Sequence, residues 1–518
     1  ALEITNAELD PIRTARPSAK QLDRIPTLSR DELELLASRF DILAAHDRPD
    51  ADLRDLLTKK AEEYRSYRAE IEAIDERTKG LGNLKAAARD AADKLDFEEV
   101  EALLGRVHEV ELEIAAETAE LRASNALLRG RVDQAYDLYC GAADSFSGVD
   151  PLEPARRRIL KYANILWKHG LRYGGLGLKR AEALLKTTLT KDLKDKDPWL
   201  WSAGTNNLAT ALQDQGTRTD GPKGAKLLGQ AVTAYRDAQT VYTRADHPLG
   251  WATTQNNLAT ALQDQGIRTG GPKGAELLGQ AVTAYHDALT VRTRADHPVD
   301  WAMTQNNLAN ALQEQGTRTG GPRGAELLGQ AVTAYRDAQT VYTRADHPVG
   351  WATTQNNLAT ALQDQGIRTG GPKGAELLGQ AVTAYRDALT VCTHAEHPVD
   401  WAMTQNNLAI ALQEQGIRTG GPKGADLLAQ AVTAYRDALS VRTRAEHPVD
   451  WAMTQENMAI AQLAIPNHDT TPDPAPHLAA ALDHVTAALT IFDPEHMAFN
   501  HGTATTLRDG ITKALGDP

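Results

Sequence analysis

Apolar positions along most of this chain recur at helical spacing, not in the alternation of a strand. In residues 251–300, Trp251, Gln255, Leu258, Ala259 and Leu262 share one side of a helix. Leu278, Ala281, Val282, Tyr285, Ala288 and Leu289 share one side of a second. Prolines of the Pro298 type open the first helix from the preceding loop, and Gly266 closes it. The spacing predicts antiparallel helices over 248–265 and 275–293, joined by an ordered loop at 266–274. Small alanines on both faces permit close approach, so the expected class is all-α.

The same pattern returns at a fixed interval. Trp201, Trp251, Trp301, Trp351, Trp401 and Trp451 stand 50 residues apart with no insertion between them. Units 251–300 and 351–400 differ only at positions 286, 292, 294 and 296 of the first. A period of this size implies stacked helix pairs, each needing its neighbours to cover its apolar face.

The residues at Gln255, Leu258, Ala259 and Leu262, then Ala281, Tyr285 and Ala288, resemble the motif of tetratricopeptide repeat (TPR) proteins. The family period is about 34 residues. Here Gly266 to Ala281 and Ala288 to Leu308 are both longer, which accounts for the additional 16 residues. "DHPVDWAMTQNNLANALQEQG" (296–316) is similar to the repeats of kinesin light chains, and bacterial interaction and signalling proteins use repeats of this kind. The resemblance implies an α-solenoid, a right-handed superhelix of antiparallel helix pairs, in a chain of bacterial type.

The expected organisation follows from these matches. Residues 1–28 read as an extended segment and 29–115 as a helical cap, with Ser29 and Glu32 forming a capping box. Asp50 starts a long helix that Gly80 stops, and Asp96 with Glu99 starts another. Residues 116–200 hold divergent units, seen in Gly130, Ala135, Tyr139 and Ala142 and then in Tyr162, Ala163, Leu166 and Gly170. Five near-identical units fill 201–450. A degenerate sixth unit and a closing helix fill 451–518, with Ala481 and Ala488 in register and the helix over 495–516.

Composition narrows the possible partners. A net charge of −13 disfavours nucleic acid and anionic membranes, and fits a basic or mixed protein partner. No apolar run reaches the ~18 residues of a membrane helix, and the N-terminus has no leader pattern. Cys140 and Cys392 are the only cysteines, and Cys392 stands where other units have Tyr242, Arg292, Tyr342 and Arg442. So variable a position reads as exposed; no disulfide is expected, and a reducing, cytoplasmic setting is. The absent initiator Met points to a trimmed or fused start.

Chemistry is sought in the motifs that recur. "RTGGPKGAE" (268–276) has the glycines and lysine of a phosphate loop, but Pro272 stands where that lysine belongs and no Ser or Thr follows Lys273. It reads as a Gly/Pro connector. Stacking would still align Arg218, Arg268, Arg318, Arg368 and Arg418, with Lys273 beside them, as a candidate anion ridge, unless Asp264 and Glu276 neutralise it. His247, His297, His347, His397 and His447 lie too far apart in a stack to share a metal, and read as helix caps. No metal or cofactor is expected, nor an enzyme.

The remaining candidate is a groove. At about 100° per residue, position 253, Asn257, Thr260 and Asp264 oppose the packed side of the first helix. Changes gather there, as Met303 and Asn310 illustrate, while Asn207, Asn257, Asn307, Asn357, Asn407 and Asn457 persist. A side-chain amide can both donate to and accept from an extended peptide backbone. The kinesin-light-chain resemblance implies that role for these asparagines. The expected function is a scaffold that binds a peptide or protein segment. The alternatives are the sensing or regulatory arm of a larger signalling or defence enzyme, and a self-assembling array.

Overall fold

The computed structural model describes residues 22–42, 45–94, 96–467 and 473–516, and among them every regular element is helical. Two compact units divide the chain, Ala1–Tyr242 and Thr243–Pro518. Residues 1–21 of the segment expected to be extended lie outside the described residues; Ile25–Thr27 form a 3-10 turn.

In the first unit, α1 (Arg30–Arg39) begins at Ser29, which forms the expected capping box with Glu32. The long helix α2 (Asp50–Asp93) does not stop at Gly80 but runs through it. Gly80 and Gly82 each weaken the helix by only about 1 kcal/mol relative to Ala, far less than the ~3 kcal/mol of a proline. Helix α3 (Phe97–Leu128) starts at Asp96, whose side chain accepts from the Glu99 amide, and packs along α2. Next come α4 (Val132–Asp144), α5 (Glu153–Arg157), a π turn (Arg158–Tyr162), α6 (Ala163–Tyr173), α7 (Gly177–Thr188) and α8 (Lys191–Lys196). The first full-length pair closes the unit, α9 (Pro198–Thr217) with α10 (Gly221–Ala238).

The second unit is a run of such pairs. These are α11 (Pro248–Thr269) with α12 (Gly271–Leu289), α13 (Pro298–Arg318) with α14 (Gly321–Gln339), and α15 (Pro348–Thr369) with α16 (Gly371–Leu389). They continue as α17 (Pro398–Thr419) with α18 (Gly421–Leu439), and α19 (Pro448–Ala464) with α20 (Ala475–Leu489), before α21 (Ala498–Gly516). Each second helix also packs on the first helix of the next pair.

The connector differs from the expected loop. The first helix runs on through Gly266–Thr269, and one residue, Gly270, separates it from the second. Gly270 and Gly271 both take left-handed backbone (φ 64° and 55°), which reverses the chain without a loop. Pro272 then falls in the first turn of α12, where no intrahelical amide donor is needed. The reversal brings Gly266 against Gly274 so closely that a Cβ on Gly274 would lie 2.6 Å from the Gly266 carbonyl oxygen.

Beyond that crossing the pair is antiparallel and tightly filled. Leu278, Ala281, Tyr285 and Ala288 of α12 are fully buried, as are Ala259 and Ala261 of α11. Full burial of each such leucine contributes roughly 1.5–3 kcal/mol. The tyrosine hydroxyls are held from the partner helix: Tyr285 Oη lies 2.9 Å from Thr260 Oγ1, and Tyr435 Oη donates to Gln413 Oε1 at 3.2 Å. Burial raises the pKa of these phenols.

Candidate peptide-binding stripe

The first helices of the second unit touch one another through a ladder of side chains. Gln313 Nε2 donates to Asp364 Oδ2 at 2.8 Å. Thr354, Thr404 and Thr454 donate to carbonyls of their own helix at 2.8 Å and share those hydroxyls with the Oδ1 atoms of Asn306, Asn356 and Asn406 at 3.2–3.4 Å. The first asparagine of the "NN" pair thus accepts from the next unit at Asn256, Asn306, Asn356 and Asn406, at Asn256 from the second asparagine Asn307. Asn256 and Asn406 are buried, and Asn306 and Asn356 half-buried. Sequence reasoning chose the second asparagine and missed the first; the matching Thr304, Thr354, Thr404 and Thr454, one per unit, were the available signal.

The second asparagines are more open. Asn257, Asn307, Asn357, Asn407 and Asn457 are half-buried, and so is Asn207 in the first unit. Their bonds are long: Asn207 Nδ2 to Ile159 O at 3.3 Å, Asn256 Nδ2 to Asn257 Oδ1 at 3.3 Å, and Asn307 Nδ2 to Asn256 Oδ1 at 3.4 Å. An amide so placed retains capacity on both its oxygen and its nitrogen.

Other members of the stripe are differently engaged. Thr260 and Asn310 do not offer free polar groups, because the tyrosine of the second helix reaches over to them, with Tyr335 Oη donating to Asn310 Oδ1 at 2.5 Å. Met303 is half-buried and Met403 is 38% exposed. Asp264 is half-buried too. Its counterparts Asp214 and Asp364 have carboxyl pKa values raised by burial, against hydrogen bonds from Trp167 Nε1 (2.6 Å) and Gln313 Nε2. Arg292, 4% exposed, lies between successive first helices and donates to Thr253 and Thr304 at 2.9 and 3.1 Å. Desolvation lowers the pKa of its guanidinium.

The arginines of the supposed ridge have a structural task. Arg318 Nη1 donates to the carbonyls of Gly266 and Ile267 at 3.3 and 3.2 Å, the last turn of the preceding first helix. Arg368 binds Thr317 O at 2.9 Å and also Thr319 O, while Arg418 binds Ile367 O at 3.3 Å. Arg218 does the same for Gly170 and Leu171 in the first unit. Helix C-termini leave carbonyls unsatisfied and carry partial negative charge, so each guanidinium caps the neighbouring unit. Arg318 and Arg418 also meet Glu314 and Glu414 at 3.4 Å, one turn away on the same helix. Arg268 is half-buried in the same register, and Lys273 is exposed.

Two further expectations change. His297 and its equivalents occupy the N-cap position, but no ring caps the helix, the backbone (φ −137°, ψ 61°) lying outside the extended region from which a side chain reaches back. Cys392 is buried, not exposed, and burial raises its thiol pKa. Its position varies together with the one eight residues on, which is Gly250 or Gly350 after Tyr242 or Tyr342 and Asp300, Asp400 or Asp450 after Arg292, Cys392 or Arg442. Both cysteines are free. Among the described residues, no group of three His, Cys, Asp or Glu could hold a metal ion, and no helix is long and apolar enough to cross a membrane.

No known family's sequence profile matches the chain, and no curated protein is similar to it in sequence. A circular tandem repeat protein with novel repeat topology aligns over 86% of this chain and 97% of its own, at 15% identity and a TM-score of 0.28. The APC/C hetero-tetramer Cut9-Hcn1 aligns over 98% and 99%, at 13% identity and 0.35. Yeast Tom70 aligns over 85% and 100%, at 11% identity and 0.22. At scores of this size the fold rests on the helix pairs themselves.

Proposed function

We propose that the chain is a non-enzymatic interaction scaffold whose first helices line the groove of a right-handed TPR-type superhelix and hold an extended peptide segment there. The reading rests on one observation: the second asparagine of the pair, from Asn257 to Asn457, recurs half-buried once per unit, with hydrogen-bonding capacity left on its amide. An asparagine in a helix interior is disfavoured unless something employs it. A half-open amide repeated once per unit grips peptide backbone whatever its side chains, and the changing neighbours at Met303 and Met403 set preference among sequences.

The test uses peptides selected from a displayed random library against the intact chain. Replacing Asn257, Asn307 and Asn357 together by Ala weakens the selected peptides by roughly tenfold or more, about 1.4 kcal/mol, while the melting temperature stays within a few degrees. A large loss of stability with unchanged affinity per folded molecule rules the reading out.

A further inference from the structure

One apolar residue per unit has no place in the core. Leu249, Val299, Val349, Val399, Val449 and Phe499 are 47%, 48%, 53%, 60%, 44% and 84% exposed. All six stand in the first turn of a first helix in the second unit, 50 residues apart. That turn favours acidic or small polar residues, for the sake of the helix dipole and the open amides. Here the identity drifts from Leu to Val to Phe and the apolar character does not. The adjoining position, meanwhile, runs through Gly250, Asp300, Gly350, Asp400, Asp450 and Asn500. Isolated exposed hydrophobes are ordinary, but the fixed register sets these in a row.

The row is bordered by negative charge. The segments 243–250, 293–300, 343–350, 393–400, 443–450 and 493–500 hold ten carboxylates against four arginines and no lysine. The carboxylates are exposed. Asp246, Asp296 and Asp346 accept from the neutral hydroxyls of Thr243, Thr293 and Thr343 at 2.6–2.7 Å. The arginines lie over the tryptophan that opens the next unit, as Arg294 does over Trp301 at 5.9 Å and Arg444 over Trp451 at 5.7 Å. The four arginines are exposed as well, so the edge is negative by the excess of ten carboxylates over four arginines.

We propose that this edge, carrying the inter-unit loops of the second unit, is a docking surface for a basic amphipathic helix of a partner protein, with one apolar contact per repeat unit. Successive first helices are in direct side-chain contact, so equivalent residues stand about one helix-packing distance apart, roughly 10 Å. Residues i and i+7 of a helix are separated by about 10.5 Å along its axis, so an apolar residue every seventh place meets the row in register. Lys and Arg flanking that seam meet the carboxylates. The same acidity repels anionic lipid and a second copy of this net-negative chain.

The probe is a fluorescent helical peptide of about 28 residues, spanning roughly 40 Å, with leucine at every seventh place and lysine and arginine beside it. It is titrated with the intact chain at low and at physiological salt, against an isomer with glutamate in place of the basic residues. The basic peptide binds and weakens with salt, and the acidic one does not bind. The chain carrying Val299→Ser, Val349→Ser and Val399→Ser binds roughly tenfold or more weakly, whereas the Asn257, Asn307 and Asn357 to Ala chain binds as before. Failure of the basic peptide to bind, equal binding of the acidic isomer or full affinity in the serine variant overturns the proposal. So does loss in the asparagine variant alone, or a concentration-dependent mass of the unmodified chain that the serine substitutions abolish.

Discussion

At Glu456 the repeat departs from its own rule. The equivalent Asn406 accepts from Thr454. In the last first-type helix, the bonds of Met497 to Asp493 and of His501 to Met497 put Ala504 at the place of Thr454, so no hydroxyl is available to position 456. Glu456 is buried, its Oε1 has no hydrogen-bond partner, and desolvation raises its carboxyl pKa. Between the ordinary carboxylate range and that raised value, the native state therefore binds more proton than the unfolded chain. Stability falls as pH rises from the ordinary carboxylate range through the raised native value. Glu456→Gln is expected to stabilise the protein at neutral pH by on the order of 1 kcal/mol and to flatten that dependence. Melting curves across the acid-to-neutral range check it; an unchanged pH profile in the variant would show that Glu456 is solvated as a carboxylate.

Among the elements, the tightest join is the glycine crossing of the near-identical pairs, as at Gly266 and Gly274. Gly274→Ala puts a methyl 2.6 Å from the Gly266 carbonyl and should cost about 1–3 kcal/mol. Gly279, in the same helix, has only the end of the Gln315 side chain within 3.4 Å, and Ala429 already occupies the equivalent place in a later unit. Gly279→Ala is therefore expected to be neutral or stabilising by up to about 1 kcal/mol. Denaturant unfolding of the two variants decides between close packing and mere helix propensity, which predicts that both substitutions stabilise. The pairing of helices was legible because periodicity and punctuation coincided at Trp251, Gly266 and Tyr285. The connector's form was not, since "RTGGPKG" suits a loop as well as two glycines that reverse a helix between adjacent turns. The arginine caps were invisible for a related reason: their acceptors are backbone carbonyls about 50 residues away, which side-chain pattern does not reveal.

At the scale of the whole molecule, near-identical units give near-identical geometry, and the proposed function falls to what remains after each unit has satisfied its neighbours. The stripe was legible as a face, from the angular positions of residues 253, 257, 260 and 264. How its members divide between structure and solvent was not, because Tyr285 and Gln313 approach from other helices. The most direct measurement places a photo-crosslinking benzoylphenylalanine at Met303 in one preparation of the intact chain. A second carries it at the exposed Thr283 of the second helix. Each is irradiated with a library-selected peptide bound. A covalent adduct from position 303 and none from 283 is the predicted result; an adduct from 283, or none from 303 while binding persists, would contradict the account.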